Sequence, residues 1–227
     1  DFAFAIWDAA EQRLFLARDR LGVKPLYYWH QGSRFAFASE LKALLGLPGV
    51  SKDLDEAALD AYLTFLYVPS PQSIFRDIRK LPPACWLTFQ KGEVRIQRYW
   101  QVPAAEPHTG SMEELSQRIL DRLREAVRER LMSEVPLGAF LSGGIDSSAV
   151  VALMSQASAQ PVRTFSIGFE SPYESYNELP FARLVAQTFR TEHHEFIVRA
   201  DLASLLPQVV WQLDEPFADS SALVTFL

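Results

Sequence analysis

Leu141-Ser142-Gly143-Gly144-Ile145-Asp146-Ser147-Ser148 joins two apolar segments of different character. Residues 135–141 are apolar and short enough for a buried strand, whereas residues 148–154 are small and apolar, which is typical of a helix. The start of a helix leaves backbone N–H groups unpaired and carries the positive end of the helix dipole. Glycines let such a backbone approach an anion because no Cβ intervenes. The stretch therefore predicts a strand, a glycine turn and a helix that together bind an anion.

The polar side chains of this loop indicate which anion it binds. Ser142, Ser147 and Ser148 supply hydroxyl donors, while the carboxylate of Asp146 would repel a bare phosphate. The aspartate is explained if Mg²⁺ lies between it and the phosphates, since hard cations take oxygen ligands. An ordinary tight strand–helix connection would explain the glycines alone but not this combination. The loop therefore predicts a site for a polyphosphate with its metal, although it lacks the lysine of the Gly-x-x-x-x-Gly-Lys loop.

The same residues carry a resemblance to a known family. The run from Ser142 to Ser147 resembles the pyrophosphate-binding loop of the N-type ATP pyrophosphatases, which cleave ATP to AMP and pyrophosphate to activate a carboxyl or carbonyl oxygen. The preceding residues 133–141 narrow the resemblance to the glutamine-dependent asparagine synthetases. This resemblance implies ATP and Mg²⁺ as cofactors, with Asp146 as the metal ligand.

The composition of the 227 residues is that of an ordinary globular protein, with 48% hydrophobic and 22% charged residues. A net charge of −6 provides no basic field for nucleic acid. No apolar run approaches the ~20 residues of a membrane span. The single cysteine, Cys85, excludes an internal disulfide and fits a reducing, cytoplasmic compartment. Asp1 is not a methionine and both chain ends interrupt apolar elements, which predicts an internal fragment of a longer protein.

The first hundred residues read as a dense antiparallel β segment. The apolar run at residues 2–8 predicts a strand buried on both faces. Residues 13–18 and 35–38 predict further strands, and residues 85–100 predict a hairpin. This part resembles the end of the N-terminal-nucleophile glutaminase domain of the same family, whose nucleophile is a cysteine at the mature N-terminus. Cys85 cannot fill that role and is predicted to be a buried structural thiol.

Two helix starts and one basic cluster lie within this segment. Ser39 and Asp53 are each predicted to cap a helix. The side chains of Arg76, Arg79 and Lys80 could contact phosphate. A solvated turn is the preferred interpretation, because no glycine or helix start accompanies them.

The chain changes character after residue 100. Residues 101–110 hold two prolines, a glycine and few apolar residues, which indicates a linker. Ser111 and Glu114 then form the pattern of a capping box at the start of a helix. From residue 135 onward strands and helices alternate, which predicts a parallel sheet.

We therefore predict an α/β protein with two incomplete domains. The first is a truncated α+β N-terminal-nucleophile glutaminase domain, and the second is a parallel-sheet α/β ATP-pyrophosphatase domain. The predicted boundaries are residues 1–100 for the C-terminal part of a class II glutamine amidotransferase domain, 101–112 for a linker, and 113–227 for the N-terminal part of an asparagine synthetase domain.

The predicted ATP site lies at the carboxyl ends of neighbouring strands, where parallel sheets bind their ligands. One strand ends at the loop described above, and the next ends at Ile167-Gly168. The resemblance implies that Leu141 and Ile167 line the adenosine through their backbone groups. The residues predicted to bind ATP and pyrophosphate are Leu141, Ser142, Gly143, Gly144, Asp146, Ser147, Ser148, Ile167 and Gly168.

Three further carboxylates are candidates for the vicinity of the metal or of the amino-acid substrate. Glu178 stands at a predicted helix start, where a carboxylate is commonly only dipole-stabilising. Asp214 and Glu215 belong to an Asp-Glu-Pro loop, which in the family lies at the synthetase site. His193 and His194 do not suggest a zinc site, because adjacent residues on a strand point to opposite faces.

The resemblance implies a ligase that amidates aspartate to asparagine with glutamine-derived ammonia. Aspartate would be activated as β-aspartyl-AMP, with release of pyrophosphate. The expected partners are therefore the small molecules aspartate, glutamine and ATP, with no nucleic acid or membrane, and the full-length protein is expected to form a homodimer. Two alternatives stay open: a related amidotransferase that acts on another carboxylate, and an inactive fragment that only binds ATP.

Overall fold

The structure is a computed structural model that describes residues 1–105, 110–169, 177–198, 202–219, 222 and 225. It contains two compact units, of which the first combines residues 1–105 with 202–226 and the second comprises residues 106–201 and 227. In chain order the elements are β1 (Ala3–Asp8), β2 (Arg13–Arg18), β3 (Tyr27–Gln31), β4 (Arg34–Ala38), α1 (Leu41–Leu45), α2 (Glu56–Phe65), β5 (Ile78–Lys80), β6 (Cys85–Gln90), β7 (Glu93–Arg98), α3 (Met112–Arg130), β8 (Gly138–Phe140), α4 (Ile145–Ala157), β9 (Arg163–Phe169), α5 (Leu179–Phe189), β10 (Glu192–Val198) and α6 (Leu202–Leu213). Among the helices so described, none has the length and apolar character needed to cross a membrane.

The first unit holds two antiparallel sheets with the strand orders β1-β2-β6-β7 and β4-β3-β5. β6 and β7 form the predicted hairpin, and the Lys91-Gly92 turn that joins them has positive φ at both residues. One buried apolar cluster includes Leu16, Leu87 and Cys85, so the prediction of a buried thiol is confirmed.

β1 is correctly predicted as a strand, but the expectation that both its faces are buried is wrong. β1 lies at the edge of its sheet and pairs with β2. The side chains of Ile6 and Trp7 are 56% and 54% exposed. An unbroken apolar run specifies a strand but not which of its faces find partners.

Both predicted helix caps are wrong. The N-cap residue of α1 is Glu40 rather than Ser39, and its side chain makes no capping hydrogen bond. The first N–H of α1 is instead bound by the carboxylate of Asp214. α2 is capped by Asp55 rather than Asp53, and its carboxylate accepts hydrogen bonds from the N–H groups of the second and third helical residues.

The second unit contains the parallel sheet that the alternating pattern predicts, with the order β10-β9-β8. The capping box of Ser111 and Glu114 at the start of α3 is confirmed. A buried cluster that includes Val127 of α3 and Leu153 of α4 packs these two helices together. The chain therefore has a mixed α/β fold with both antiparallel and parallel sheets.

α4 begins at Ile145, three residues earlier than the sequence pattern predicts. Gly144 is the N-cap residue and has an extended backbone. Asp146 therefore lies in the first helical turn rather than in the preceding loop. Its carboxylate stands at the positive end of the helix dipole, where a negative side chain is stabilised.

Candidate functional site

The loop at residues 141–148 starts from a strand end that is fixed to β9. The N–H of Leu141 donates to the carbonyl oxygen of Phe165 at 2.8 Å. The hydroxyl of the buried Ser166 donates to the carbonyl oxygen of Leu141. Both backbone polar groups of Leu141 are thereby held by β9, and Ile167-Gly168 follows directly on that strand. The structure thus brings together the two strand ends that the sequence indicates.

Gly143 cannot be replaced by a residue with a side chain without strain. Its φ is +83°, a conformation that residues with a side chain rarely adopt. A Cβ on Gly143 would lie 2.5 Å from the backbone carbon of Phe181 and 2.6 Å from the N of Ala182. The loop therefore passes directly over the first turn of α5, and only glycine permits that approach.

The hydroxyls of the loop form a small network around Gly144. Ser142 Oγ and Ser147 Oγ are 3.0 Å apart, and the N–H of Gly144 donates to Ser142 Oγ at 3.2 Å. Ser147 Oγ also lies 3.3 Å from the carbonyl oxygen of Gly144. These bonds hold the turn closed before any ligand arrives, which lowers the cost of ordering it on binding.

The start of α4 has the polar groups that a phosphate site needs. No side chain caps this helix end in the described structure. Ser148 Oγ is buried and has no hydrogen-bond partner among the described residues. An unpaired buried hydroxyl is costly unless a ligand or water satisfies it. The geometry thus fits an anion seated on the first turn of α4.

Asp146 fits a magnesium site of the kind that nucleotides complete. Its side chain is exposed in the first turn of α4. The described residues contain no group of three or more His, Cys, Asp or Glu side chains that could hold a metal ion. Mg²⁺ is commonly held by one or two carboxylates together with substrate phosphates rather than by a cage of protein ligands. The single carboxylate of Asp146, next to an uncapped helix start that fits an anion, agrees with this way of binding Mg²⁺.

Close packing rather than backbone conformation disfavours a side chain at Gly168. A Cβ at this position would lie 2.4 Å from Leu179 Cδ1 and 3.0 Å from Ile197 Cδ1. A side chain at position 168 would project from the face of β9 on which α5 packs. Ile167, its neighbour, is half-buried and lies on the opposite face of the strand.

Glu178 lies close in the chain to the point where α5 meets the loop. It is the N-cap residue of α5, and its exposed side chain makes no capping hydrogen bond. Its carbonyl oxygen accepts hydrogen bonds from the N–H groups of Phe181 and Ala182, the residues that contact Gly143. Its predicted role near metal or substrate stays a prediction.

Asp214 and Glu215 lie in the other compact unit, and other groups already bind their carboxylate oxygens. Asp214 accepts from the N–H of Leu41 at 2.7 Å and pairs with Lys42 at 3.0 Å. Glu215 accepts from a backbone N–H at 2.8 Å and pairs with Lys80 at 2.5 Å. Their predicted place near metal or substrate stays a prediction, and in the described structure each of these carboxylate oxygens already has a protein partner.

The sequence favours a solvated turn for Arg79 and Lys80, and that interpretation is wrong for these two residues. Arg79 and Lys80 lie at the end of β5, where Arg79 pairs with Asp55 at 3.2 Å and Lys80 pairs with Glu215. The sequence likewise gives no sign that the hydroxyl of Ser166 binds the carbonyl oxygen of Leu141. An isolated basic or hydroxyl residue in a strand carries no local signal for a partner that is distant in sequence.

Comparison with known proteins divides the chain in two. Residues 1–100 match the family model of the glutamine amidotransferase domain, and residues 118–227 match that of asparagine synthase. One relative is an asparagine synthetase [glutamine-hydrolyzing] 2 by name, from Methanocaldococcus jannaschii. It is 38% identical over 99% of this chain and 44% of its own length. Asparagine synthetase [glutamine-hydrolyzing] 3 of Bacillus subtilis is 36% identical over 95% of this chain and 37% of its own length.

The chain thus spans less than half the length of the curated relatives that it matches. Among solved structures, it is similar to an NH3-dependent NAD synthetase from Campylobacter jejuni, with 20% identity and a TM-score of 0.34. That similarity covers 48% of this chain and 45% of the other.

Proposed function

We infer that the chain belongs to the family of glutamine-hydrolysing asparagine synthetases, and we propose that the full-length protein converts aspartate to asparagine with ATP and glutamine. In this proposal residues 1–100 form the end of a class II glutamine amidotransferase domain with the N-terminal-nucleophile fold. Residues 101–112 form a linker, and residues 113–227 begin a synthetase domain with the ATP-pyrophosphatase fold. The observation that carries the proposal is the strand–loop–helix at residues 138–157, in which Gly143 has positive φ and no side chain caps the start of the helix.

The synthetase half would activate the acceptor at the start of α4. A side-chain carboxylate oxygen of aspartate attacks the α-phosphorus of ATP, and the bond from that phosphorus to the oxygen bridging the β-phosphate breaks. The products of this step are β-aspartyl-AMP and pyrophosphate. Backbone N–H groups at the start of α4 and the hydroxyls of Ser142, Ser147 and Ser148 would offset the charge that develops on the leaving pyrophosphate.

Asp146 would hold Mg²⁺ at this site. A bound magnesium ion supplies electrostatic stabilisation of the phosphate oxygens. The exposure of Asp146 in the first turn of α4 supports this role. Ile167 and Gly168 would contact the adenosine through backbone groups at the neighbouring strand end. Leu141 would contribute only the second lone pair of its carbonyl oxygen, because its N–H is bound to Phe165.

The nitrogen comes from glutamine in the other half of the reaction. Hydrolysis of the glutamine amide gives glutamate and ammonia. Ammonia then attacks the acyl carbon of β-aspartyl-AMP, AMP leaves with the oxygen that aspartate contributed, and the nitrogen loses a proton. We further expect the protein to be cytoplasmic and to form a homodimer. Light scattering on the purified full-length protein would test the homodimer.

Product analysis tests the proposal and separates it from its alternatives. The full-length protein is incubated with ATP, Mg²⁺ and aspartate, with glutamine or ammonia as nitrogen source. We expect asparagine, AMP and pyrophosphate in equal amounts with either source. Turnover that appears only with another carboxylate would indicate a different acceptor, and ATP binding without AMP formation would indicate a binding module; both results contradict the proposal.

A further inference from the structure

The two family matches and the two compact units divide the chain at different places. Residues 202–219 fall inside the asparagine synthase match, which covers residues 118–227. In the structure these residues belong to the same compact unit as residues 1–105, which carry the glutamine amidotransferase match. Residues 202–219, called the synthase segment below, therefore match the synthase family but belong to the same compact unit as the amidotransferase match.

Asp214 makes the first of two carboxylate contacts between this segment and residues 1–105. It follows the last residue of α6 and has a φ of +65°, a left-handed conformation that aspartate tolerates better than most residues. One carboxylate oxygen accepts a hydrogen bond from the N–H of Leu41, the first residue of α1. The other pairs with Lys42 at 3.0 Å. Asp214 thus caps a helix that starts 173 residues earlier in the chain.

Glu215 makes the second of these carboxylate contacts, and its side chain is buried. Its Oε1 accepts from the N–H of Ile74 at 2.8 Å, and its Oε2 pairs with Lys80 at 2.5 Å. The hydroxyl of Tyr27 lies 3.5 Å from Oε2. Burial, followed by the charge of Glu215, raises the pKa of Tyr27, so this hydroxyl keeps its proton and can donate.

The two lysines are themselves held in place. Lys42 also pairs with Glu40 at 2.9 Å and donates to the carbonyl oxygen of Trp211 at 3.3 Å. Lys80 donates to the carbonyl oxygen of Val68 at 2.6 Å. Each cation therefore has at least two fixed partners, which restricts the positions that the paired carboxylates can adopt.

We propose that Asp214 and Glu215, with Lys42 and Lys80, form a carboxylate clamp that positions the synthase segment on the amidotransferase unit and couples glutamine hydrolysis to asparagine formation. The inference rests on the proposed function. Asp214 and Glu215 are positioning residues in this proposal, because each of their carboxylate oxygens binds a protein group. The exposed residues 217–219 follow directly, and the N–H of Ala218 donates to the carbonyl oxygen of Leu66 at 2.9 Å, so the clamp is one of the contacts that position them.

Stability alone does not account for such a clamp. A buried ion pair is a weak source of stability, since apolar residues of similar volume often serve as well or better. What the paired charges and backbone hydrogen bonds provide is one defined geometry. A displacement of about 1 Å in a segment that positions reactants can cost on the order of a hundredfold in rate. A clamp made of four directed bonds to two consecutive residues is suited to preventing that displacement.

The test compares conservative variants of the full-length protein. Glu215→Gln keeps an acceptor for the N–H of Ile74 and removes the ion pair with Lys80, and Asp214→Asn does the same at Leu41 and Lys42. The double variant Lys80→Met with Glu215→Gln avoids an unpaired buried ammonium if a single variant folds poorly. Arg79→Met is the matched control, because Arg79 precedes Lys80 on β5 and pairs with Asp55 instead.

Three quantities are measured for each variant: asparagine formed from glutamine, asparagine formed from ammonia, and glutamate released per asparagine. For the clamp variants we expect the glutamine-dependent rate to fall by about tenfold or more, the ammonia-dependent rate to stay within about twofold, and the glutamate ratio to rise above one. Arg79→Met should leave the ratio unchanged.

Other outcomes overturn the inference. Equal loss of both rates in the clamp variants would reduce the clamp to a structural role, and so would a rise of the glutamate ratio in Arg79→Met as large as in Glu215→Gln. An unchanged glutamate ratio in all clamp variants would also overturn it. A wild-type protein that forms no asparagine from either nitrogen source would overturn the proposed function as well, so the two failures can be distinguished.

Discussion

The backbone of Phe181 lies where a side chain on Gly143 would have to be: a Cβ on Gly143 would come within 2.5 Å of the carbonyl carbon of Phe181. This contact ties the loop of the candidate ATP site to the first turn of α5. Gly143 also has a φ of +83°, so its backbone conformation and its close neighbours both require a residue without a side chain.

Replacing Gly143 with alanine should disrupt both the fold and the site. Positive φ and overlap with backbone atoms together should cost about 2–4 kcal/mol in the free energy of unfolding. Urea unfolding measures this loss, and ATP binding should be lost with it. Gly144→Ala is the control for stability, since its φ is −69° and its Cβ would meet only Ser142 Oγ at 3.3 Å. Equal stability of the two variants would contradict the account of Gly143.

Asp146→Ala should abolish turnover while leaving the fold intact. The side chain is exposed, so its removal should change the unfolding free energy by less than about 0.5 kcal/mol. The rate of ATP–pyrophosphate exchange in the full-length protein should fall by about a hundredfold or more. Ordinary exchange in this variant would refute the proposed role of Asp146.

Asp19 should make the stability of the first unit depend on acidic pH. Burial alone would raise its pKa, but four backbone N–H donors from Phe2, Leu21, Val23 and Lys24 outweigh burial and lower the pKa to about 2. The unfolded chain has a pKa near 3.9, so the contribution is complete above about pH 4 and is lost as the pH falls towards about 2.

Asp19→Asn should therefore lower the free energy of unfolding by about 2 kcal/mol at neutral pH. The difference from the wild type should narrow between about pH 4 and about pH 2, as measured by urea unfolding at several pH values. A difference that stays constant across this range would show that the charge of Asp19 is not what its backbone partners stabilise.

Cys85 should behave as an inert core residue. Burial raises the pKa of its thiol, an effect that the nearby Arg98 only partly offsets. A thiol reagent should modify the native protein at least about a hundredfold more slowly than the unfolded chain. Cys85→Ala should keep glutamine-dependent activity in the full-length protein. Selective loss of that activity, with ammonia-dependent synthesis retained, would identify Cys85 as a nucleophile and contradict this interpretation.

The loop at residues 141–148 could be predicted because its polar residues and glycines are consecutive in the sequence. The two glycines, three hydroxyls and one carboxylate stand within eight residues, and the adjoining strand and helix have their own periodic patterns. The parallel sheet and the capping box of Ser111 were predictable for the same reason. The exact start of α4 was not, because glycine and the polar residues after it fit either a loop or a first helical turn.

The contacts of Asp214 and Glu215 could not be predicted, because their partners are far away in sequence. Lys42 and Lys80 look like ordinary surface lysines until the fold brings them to two consecutive carboxylates. The incorrect cap of α1 has the same origin, since its cap is a side chain from 173 residues along the chain. Local propensity ranks Ser39 well, but a tertiary contact decides the outcome.

The fate of oxygen atoms tests the central claim most directly. Aspartate labelled with ¹⁸O in its side-chain carboxylate is supplied to the full-length protein with ATP, Mg²⁺ and ammonia. Attack of the carboxylate on the α-phosphorus predicts one ¹⁸O atom in the phosphate of AMP and none in pyrophosphate, as read by mass spectrometry. Unlabelled AMP, or label in inorganic phosphate released together with ADP, would contradict an ATP pyrophosphatase mechanism at this loop.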